Sequence, residues 1–460
     1  MSIHTEFSVR GRKVTVVGAA RSGVAAAHLL ARRGATVTLT DLQPAIPEED
    51  ALRAAGVALE LGQHVPATLT RAHIVVLSPG VPSTQPVIEA ARAAGVHVIG
   101  ELELASRWLR GRIVAITGTK GKSTTTTLTG RMLEAGGHHV LVGGNIGHPL
   151  SAQVDESRPE TIHVVEASSF QLESIDTFRP WISVLLNFSP DHLDRHGSLD
   201  EYAAAKSRIF VNQTAADWAV LNADDAAVAP MASAAAARQL MFSMSDSLPA
   251  GVLVRGDEVV RRTAHGDQPL LPVSSIRLLG RHLIADVLAA SAVASIAGVD
   301  AAAMTEAVEG FKGLEHALEP VAEISGVLFV NDSKATNVEA ARRAIESFDS
   351  VVVIMGGRFK GGQLGDLMVP LRERNATVVS IGEARALIAS AFDGAVPVRE
   401  AADMSAAVRL AFASAAPGTA VVLAPACASF DMFRDYAERG RVFKQEVARL
   451  KEEWNGVREQ

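Results

Sequence analysis

The chain has 460 residues, enough for two to four domains at roughly 100–200 residues each, with three as the expectation. Hydrophobic residues make up 48% and charged residues 21%, which excludes a mostly disordered chain, a collagen or a disulfide scaffold. Net charge is 44 − 51 = −7 with no long basic run, so nucleic acid is not an expected partner; the single cysteine, Cys427, rules out an intrachain disulfide and fits a reducing compartment.

Met1 to Phe7 has no apolar core of the secretory kind, and no apolar run reaches the ~18–20 residues of a membrane helix. The expectation is a soluble cytoplasmic protein with no membrane partner. Lys13–Val17 predicts a strand ending at Gly18, Gly23–Arg33 a helix stopped by Gly34, and Ala35–Thr40 a second strand ending at Asp41. This is a βαβ unit. Ile74–Leu77 and Val96–Ile99 add strands, and the unit ends near residue 110.

A second unit opens at Ile113–Thr117, passes a Gly/Lys loop and enters a helix over Ser123–Ala135. Strands are predicted at His139–Val142, Ile162–Glu166, Ile182–Asn187 and Ala219–Leu221, then hairpins over Val252–Ile276 and a helix near Leu283–Ala297. A third unit starts near Leu314, with strands at Val327–Val330, Val351–Met355, Thr377–Ile381 and Ala420–Leu423. Apolar strands alternating with helices mean an α/β protein whose mainly parallel sheets are covered on both faces. The expected division is 1–110, 111–313 and 314–460: a Rossmann-like domain, a P-loop domain and a second Rossmann-like domain. Ligands of such sheets sit at the C-terminal strand ends, where the polar clusters fall.

The strongest local signal is Gly118-Thr119-Lys120-Gly121-Lys122-Ser123, between a strand and a helix. Amides of such a loop converge on phosphate oxygens; Lys122 reaches the β/γ-phosphates and Ser123 is placed for Mg²⁺. The position five before Gly121 is Ile116, not the Gly of a full Walker A motif, so the loop is a compact variant. Gly18-Ala19-Ala20-Arg21-Ser22-Gly23 lacks the middle Gly of a dinucleotide fingerprint and fits a plain turn nearly as well. Glu166 ends a strand and suits Mg²⁺, although Ser168 or Ser169 beside it also reads as an ordinary helix cap. The run Asn187–Gly197 packs two His, two Asp and an Arg; it matches no zinc spacing and alone reads as a solvated loop. Asn331–Asn337, Gly356–Gly362 and Ala424–Asp431 are polar strand ends of the same ambiguous kind, and Cys427 reads as a buried structural thiol.

Taken together, GTKGKSTTT, EASSFQLE, DHLDRHG, NDSKATN, GGRFKG and PACASFDMF resemble the Mur ligases, in that family's order and over residues 118 to 433. The N-terminal βαβ unit also fits, so the resemblance covers essentially the whole chain. SSFQLE, NDSKATN and ACASFD are the marks of the branch that adds D-glutamate, and no DNP(R/K) motif of the diaminopimelate- or lysine-adding branches is present. The resemblance implies an enzyme that joins D-glutamate to UDP-N-acetylmuramoyl-L-alanine, with ATP as co-substrate and two Mg²⁺ ions, acting as a monomer. It implies that Gly118, Thr119, Lys120, Gly121, Lys122, Ser123, Thr124 and Asp332 bind ATP. Ser123, Glu166, His192 and a carbamylated Lys206 hold the metals, with Lys122, Glu166, His192 and Lys206 carrying the chemistry. Ser22, Asp41, Ser78, Gly80, Asn145, Ser168, Gln171 and His192 contact the UDP-substrate. Lys334, Thr336, Lys360, Ser429 and Tyr436 contact the amino acid.

Several positions depart from the family pattern. Lys120 replaces the usual Asn of the P-loop, and Tyr436 stands where a Phe is usual. The HN-x-x-N helix signature reads His282-Leu283 with Asp286, and the His-Arg pair reads His316-Ala317. These changes bear on ATP binding and keep two other readings in view: a related Mur- or folylpolyglutamate-type amide ligase with another acceptor or L-glutamate, and a nucleotide-binding protein without ligase activity.

Overall fold

The computed structural model describes residues 7–191, 193–277 and 282–458. The chain is built on three sheets with helices between their strands. The first has five parallel strands, β1 (Lys13–Val17), β2 (Thr36–Asp41), β3 (Ala58–Leu61), β4 (Ile74–Leu77) and β5 (His97–Gly100), in the order β3-β2-β1-β4-β5. Its βαβ start is the one expected.

The central sheet has nine strands: β6 (Arg112–Thr117), β7 (Val140–Gly144), β8 (Ile162–Glu166), β9 (Ile182–Leu185), β10 (Trp218–Asn222), β11 (Arg238–Ser243), β12 (Gly251–Arg255), β13 (Glu258–Thr263) and β14 (Gly266–Pro272). Their order is β14-β13-β12-β11-β10-β9-β6-β8-β7. The hairpins expected over 252–276 are the antiparallel end, β12-β13-β14; the rest is parallel. The order places β6 between β8 and β9. The loops after these three strands therefore open side by side, which is where an open α/β sheet binds ligands.

The third sheet has β15 (Glu319–Ile324), β16 (Val327–Asn331), β17 (Val351–Gly356), β18 (Thr377–Ile381), β19 (Val398–Glu400) and β20 (Ala420–Leu423), ordered β15-β16-β20-β17-β18-β19. Only β15 is antiparallel to its neighbour. Alternation on β17 explains its uninterrupted apolar run. Val351, Val353 and Met355 enter one core with Ala341 and Ile388, while Val352 and Ile354 enter another with Ala407 and Phe443. Each such buried side chain is worth about 1.5–3 kcal/mol. β4 does the same, Ile74 and Val76 on one face and Val75 and Leu77 on the other. Two compact units result. One carries the first two sheets and includes Ala285–Glu309; the other carries the third sheet from Gly310 onward.

The strands absent from the sequence reading are mostly edges. β3 and β19 are short and β15 exposes Pro320 and Glu323, so none shows a clean apolar pattern. No described helix is long and apolar enough to cross a membrane.

Candidate active site

The P-loop follows β6. Gly121 ends it at φ +82°, and a Cβ there would lie 2.2 Å from Asp286 Oδ1, so both conformation and space demand glycine. The helix Lys122–Ala135 begins next, and no side chain caps it. Its N-terminal end carries the partial positive charge that favours an anion. Asn187, beyond β9, braces the loop: its Oδ1 accepts from the Thr119 and Lys120 amides at 3.1 and 2.9 Å, and its Nδ2 donates to the Lys120 carbonyl at 3.1 Å. Lys122 Nζ folds back onto the Gly118 and Thr119 carbonyls at 3.0 and 2.9 Å. Lys120 Nζ meets Asp191 at 3.1 Å. Thr124 continues the same first turn.

Glu166, at the end of β8, is 2% exposed. Ser123 Oγ donates to its Oε2 at 2.7 Å and Asn145 Nδ2 to its Oε1 at 2.8 Å. One hydroxyl and one carboxylate at the mouth of a phosphate loop suit Mg²⁺, which completes its shell with phosphate and water. No group of three or more His, Cys, Asp or Glu forms a metal cage among the described residues. His192 lies outside the described residues.

Lys206 is 1% exposed and donates to the Gly118 carbonyl at 2.8 Å, 4.5 Å from the centre of the Tyr202 ring. Burial first, then the Lys122 charge, push its ammonium down to about 6, against the pull of Asp191 and Glu166.

The residues assigned to the UDP-substrate lie in the same unit. Asp41 ends β2 and accepts from the Ala19 amide at 2.6 Å, fixing the turn after β1. Ser22 is the second residue of the following helix, Arg21–Arg32, where Gly23 is required because a Cβ would fall 1.8 Å from the Gly18 carbonyl. Ser78 follows β4 and is buried; the Gly80 and Val81 carbonyls accept from Arg195 at 3.3 and 2.8 Å. Ser168 caps the short helix Ser169–Leu172 in a capping box with Gln171. Ser78 and Gln171 line one cavity. Ser123, Asn145 and Glu166 are joined by hydrogen bonds, as are Ser168 and Gln171.

The amino-acid residues all fall in the other unit. Lys334 and Thr336 follow β16, Lys360 follows β17, Ser429 follows β20, and Tyr436 opens the helix Tyr436–Arg458. Lys334 and Lys360 are exposed and Ser429 is buried. Arg358 and Ala428 exchange backbone hydrogen bonds at 2.9 Å, pairing the second loop with the third. Asp332 accepts from the Leu318 amide at 3.2 Å, and burial pushes its carboxyl up to about 7. Cys427 is buried and its thiol is pushed up to about 11, as expected of a structural thiol. The sequence reading missed Arg439. It is fully buried, donating from Nε to Ser333 Oγ and from Nη1 to the Cys427 carbonyl. It also missed Glu101, which reads as an ordinary acidic helix start. Asn187 had a usable signal, its place at a strand end beside the P-loop.

The sequence pattern of the Mur ligase MurD-like N-terminal domain matches residues 12–100, that of the Mur ligase middle domain 116–294, and that of the Mur ligase glutamate ligase domain 318–427. The UDP-N-acetylmuramoylalanine--D-glutamate ligase of Acidobacterium capsulatum is 47% identical, covering 96% of this chain and 97% of that one. Those of Koribacter versatilis and Geobacter metallireducens are 44% and 45% identical, with 97% and 96% of this chain and 99% of each relative covered. Two solved structures share the fold. They are a pseudomurein peptide ligase type C from Methanothermus fervidus (TM-score 0.59, 17% identity, 96% and 100% covered) and UDP-N-acetylmuramate-alanine ligase from Thermotoga maritima (TM-score 0.58, 19% identity, 96% and 100% covered). With relatives this similar over nearly its whole length, the chain belongs to the Mur ligase family.

Proposed function

We propose that the chain is an ATP-dependent ligase that joins D-glutamate to UDP-N-acetylmuramoyl-L-alanine in the cytoplasm, as a step in peptidoglycan precursor synthesis. The observation that carries this reading is the Ser123 hydroxyl on the Glu166 carboxylate, 2.7 Å apart, at the mouth of an uncapped phosphate-binding helix. The names of relatives 43–47% identical over nearly the full chain support the choice of substrates.

The alanine carboxylate attacks the γ-phosphorus of ATP, and ADP leaves with the electron pair of the broken P–O bond. The resulting acyl phosphate is attacked at its carbonyl carbon by the free amine of D-glutamate. The tetrahedral intermediate expels inorganic phosphate, the nitrogen loses a proton, and the amide remains. Two anions must approach each other in the first step. The first-turn amides of the P-loop helix and Lys122, swung from the loop carbonyls to the phosphates, offset that repulsion. Ser123, Glu166, His192 and a carbamylated Lys206 would hold two Mg²⁺ ions, which supply charge neutralisation to the phosphates. The free amine of Lys206 is the form that adds carbon dioxide, losing a proton to become an anionic carbamate. Ser22, Asp41, Ser78, Gly80, Asn145, Ser168 and Gln171 hold the nucleotide sugar. Asp332 is a further ATP-binding residue, and Lys334, Thr336, Lys360, Ser429 and Tyr436 take the amino acid. The domains divide at 1–110, 111–313 and 314–460, and the chain acts as a monomer.

Phosphate release from ATP and Mg²⁺, with the nucleotide sugar and either D- or L-glutamate, tests the proposal. The expected result is release only with the nucleotide sugar and D-glutamate together. Release with L-glutamate alone would change the acceptor. ATP binding without release under any condition would replace the ligase by a nucleotide-binding protein.

A further inference from the structure

Glu101 opens the helix Glu101–Ser106 directly after β5, and it is 1% exposed. Its Oε1 accepts from the Ser151 amide at 2.6 Å, at the end of the segment that carries Asn145. Its Oε2 has no hydrogen-bond partner of good geometry among the described residues, although the Ser151 hydroxyl also lies close to the carboxyl. The same holds for Ser78 Oγ and for Gln171 Nε2, whose residues are each 2% exposed. All three residues line one cavity, together with Gly100, Phe170, Glu173 and Ser174.

Three residues with unpartnered polar atoms therefore share one cavity. An unpartnered buried polar group costs about 1–3 kcal/mol, and more when it is charged. Gln171 cannot turn away, because its Oε1 accepts from both the Ser168 amide and the Ser168 hydroxyl, leaving Nε2 aimed elsewhere. The set is chemically complementary: an amide N–H₂ donates, a hydroxyl does either, and the Glu101 carboxyl, whose pKa burial raises, accepts at Oε2 in its ionised form. The space open to the centre of a water-sized molecule is about 10 Å³, which is about what one water needs. Gly100 keeps it open, since a Cβ there would lie 3.2 Å from Ser174 Cβ.

We propose that Glu101 is a positioning residue for the nucleotide-sugar substrate, acting through one water held by its Oε2, Ser78 Oγ and Gln171 Nε2. The inference rests on the proposed function, because Ser78, Asn145 and Gln171 are substrate residues only under that reading. Glu101 then sits where three substrate-bearing segments meet. Through Oε1 it fixes the segment of Asn145, and through the water it fixes Ser78 after β4 and Gln171 after β8. The carboxylate never touches the substrate; it sets the orientation of the side chains that do.

Two measurements test this. The first is a crystal structure of the full-length wild-type chain at a resolution that shows ordered waters. One water bonded to all three atoms is expected, and a dry cavity, or a substrate atom in its place, overturns the proposal. The second is Glu101→Gln, which keeps size and the acceptor for Ser151 but turns an N–H₂ toward that of Gln171. Calorimetric binding of UDP-N-acetylmuramoyl-L-alanine should weaken about tenfold. In turnover the KM for that substrate should rise equally, while kcat and the KM for ATP stay within about twofold. Unchanged binding, or an equal shift for every substrate, overturns the positioning role. If the wild-type chain binds the nucleotide sugar but ligates nothing, the proposed function has failed while the water and the calorimetry still decide this inference; if it binds no nucleotide sugar, both fall.

Discussion

Lys206 Nζ donates to the Gly118 carbonyl at 2.8 Å from a fully buried position, so a lysine supports the P-loop from beneath. Burial holds its folded pKa near 6, far below the 10.5 of a solvated lysine. Between those values the unfolded chain binds a proton that the folded chain does not. Stability therefore rises with pH across that window, and the contribution is lost as pH falls through about 6. In metal-free protein, the melting temperature of wild type relative to Lys206→Met should climb from pH 6 toward pH 9. A flat difference would mean that the amine is not held neutral. Phosphate release by the variant should fall by at least about a hundredfold, the scale of one lost charge-stabilising group.

The Ser123–Glu166 hydrogen bond yields a second prediction. If these groups take up Mg²⁺, Ser123→Ala removes one weak ligand and Glu166→Gln the anionic one. The Mg²⁺ concentration for half-maximal rate should rise severalfold in Ser123→Ala, and Glu166→Gln should lose about a hundredfold or more in kcat. A Mg²⁺ titration of initial rates reads both. An unshifted midpoint in both variants would remove these residues from the metal site.

Much of this site is legible in the chain itself, for a physical reason. β6, β8 and β9 are short, mostly apolar runs that give way to Gly118, Glu166 and Asn187 at or just past their ends, and parallel sheets place such ends on one rim. Gly118–Ser123 and Glu166 can therefore be grouped from the alternation of strand and helix alone. Glu101 and Arg439 cannot. Each sits in a charged helical stretch that looks solvated, and its burial depends on segments distant in sequence: Ser151 for one, Ser333 and Cys427 for the other. Edge strands such as β19 escape because they need only one apolar face and three residues. Ser168 shows the opposite case, in which the bland helix-cap reading describes its hydrogen bonds directly.

Asp286 departs from the family's Asn, and the structure gives that change a consequence. Its Oδ1 accepts from Thr125 Oγ1 at 3.1 Å, within a turn of Gly121. A carboxylate there favours the helix N-terminus but opposes phosphate at the same end. Asp286→Asn keeps the acceptor and removes the charge. Calorimetry should show ATP binding about fivefold tighter, the order of 1 kcal/mol for one screened charge. Denaturant melts should show stability lower by about 0.5–1 kcal/mol. Weaker ATP binding in the variant would mean that the charge assists the nucleotide.

Arg439 ties together two of the loops assigned to the amino acid. It donates to Ser333 Oγ and to the Ser333 carbonyl, each at 2.9 Å, and to the Cys427 carbonyl at 3.1 Å; Ser333 Oγ in turn donates to the Tyr436 carbonyl at 2.7 Å. Burial lowers its pKa only to about 10, so it stays charged at neutral pH, with carbonyl and hydroxyl oxygens rather than a carboxylate as hydrogen-bond partners. A lysine has one nitrogen where arginine has a planar fork, and it cannot serve both segments at once. Arg439→Lys should cost about 2–4 kcal/mol of stability and raise the KM for D-glutamate about tenfold or more, with the KM for ATP nearly unchanged. Ser333→Ala removes a hydroxyl from the same network. Because the two side chains share a hydrogen bond, the double variant should lose less stability than the two single losses added together. Additive losses in a double-mutant cycle would show that Arg439 acts on each loop separately, and an unchanged KM for D-glutamate would confine it to stability.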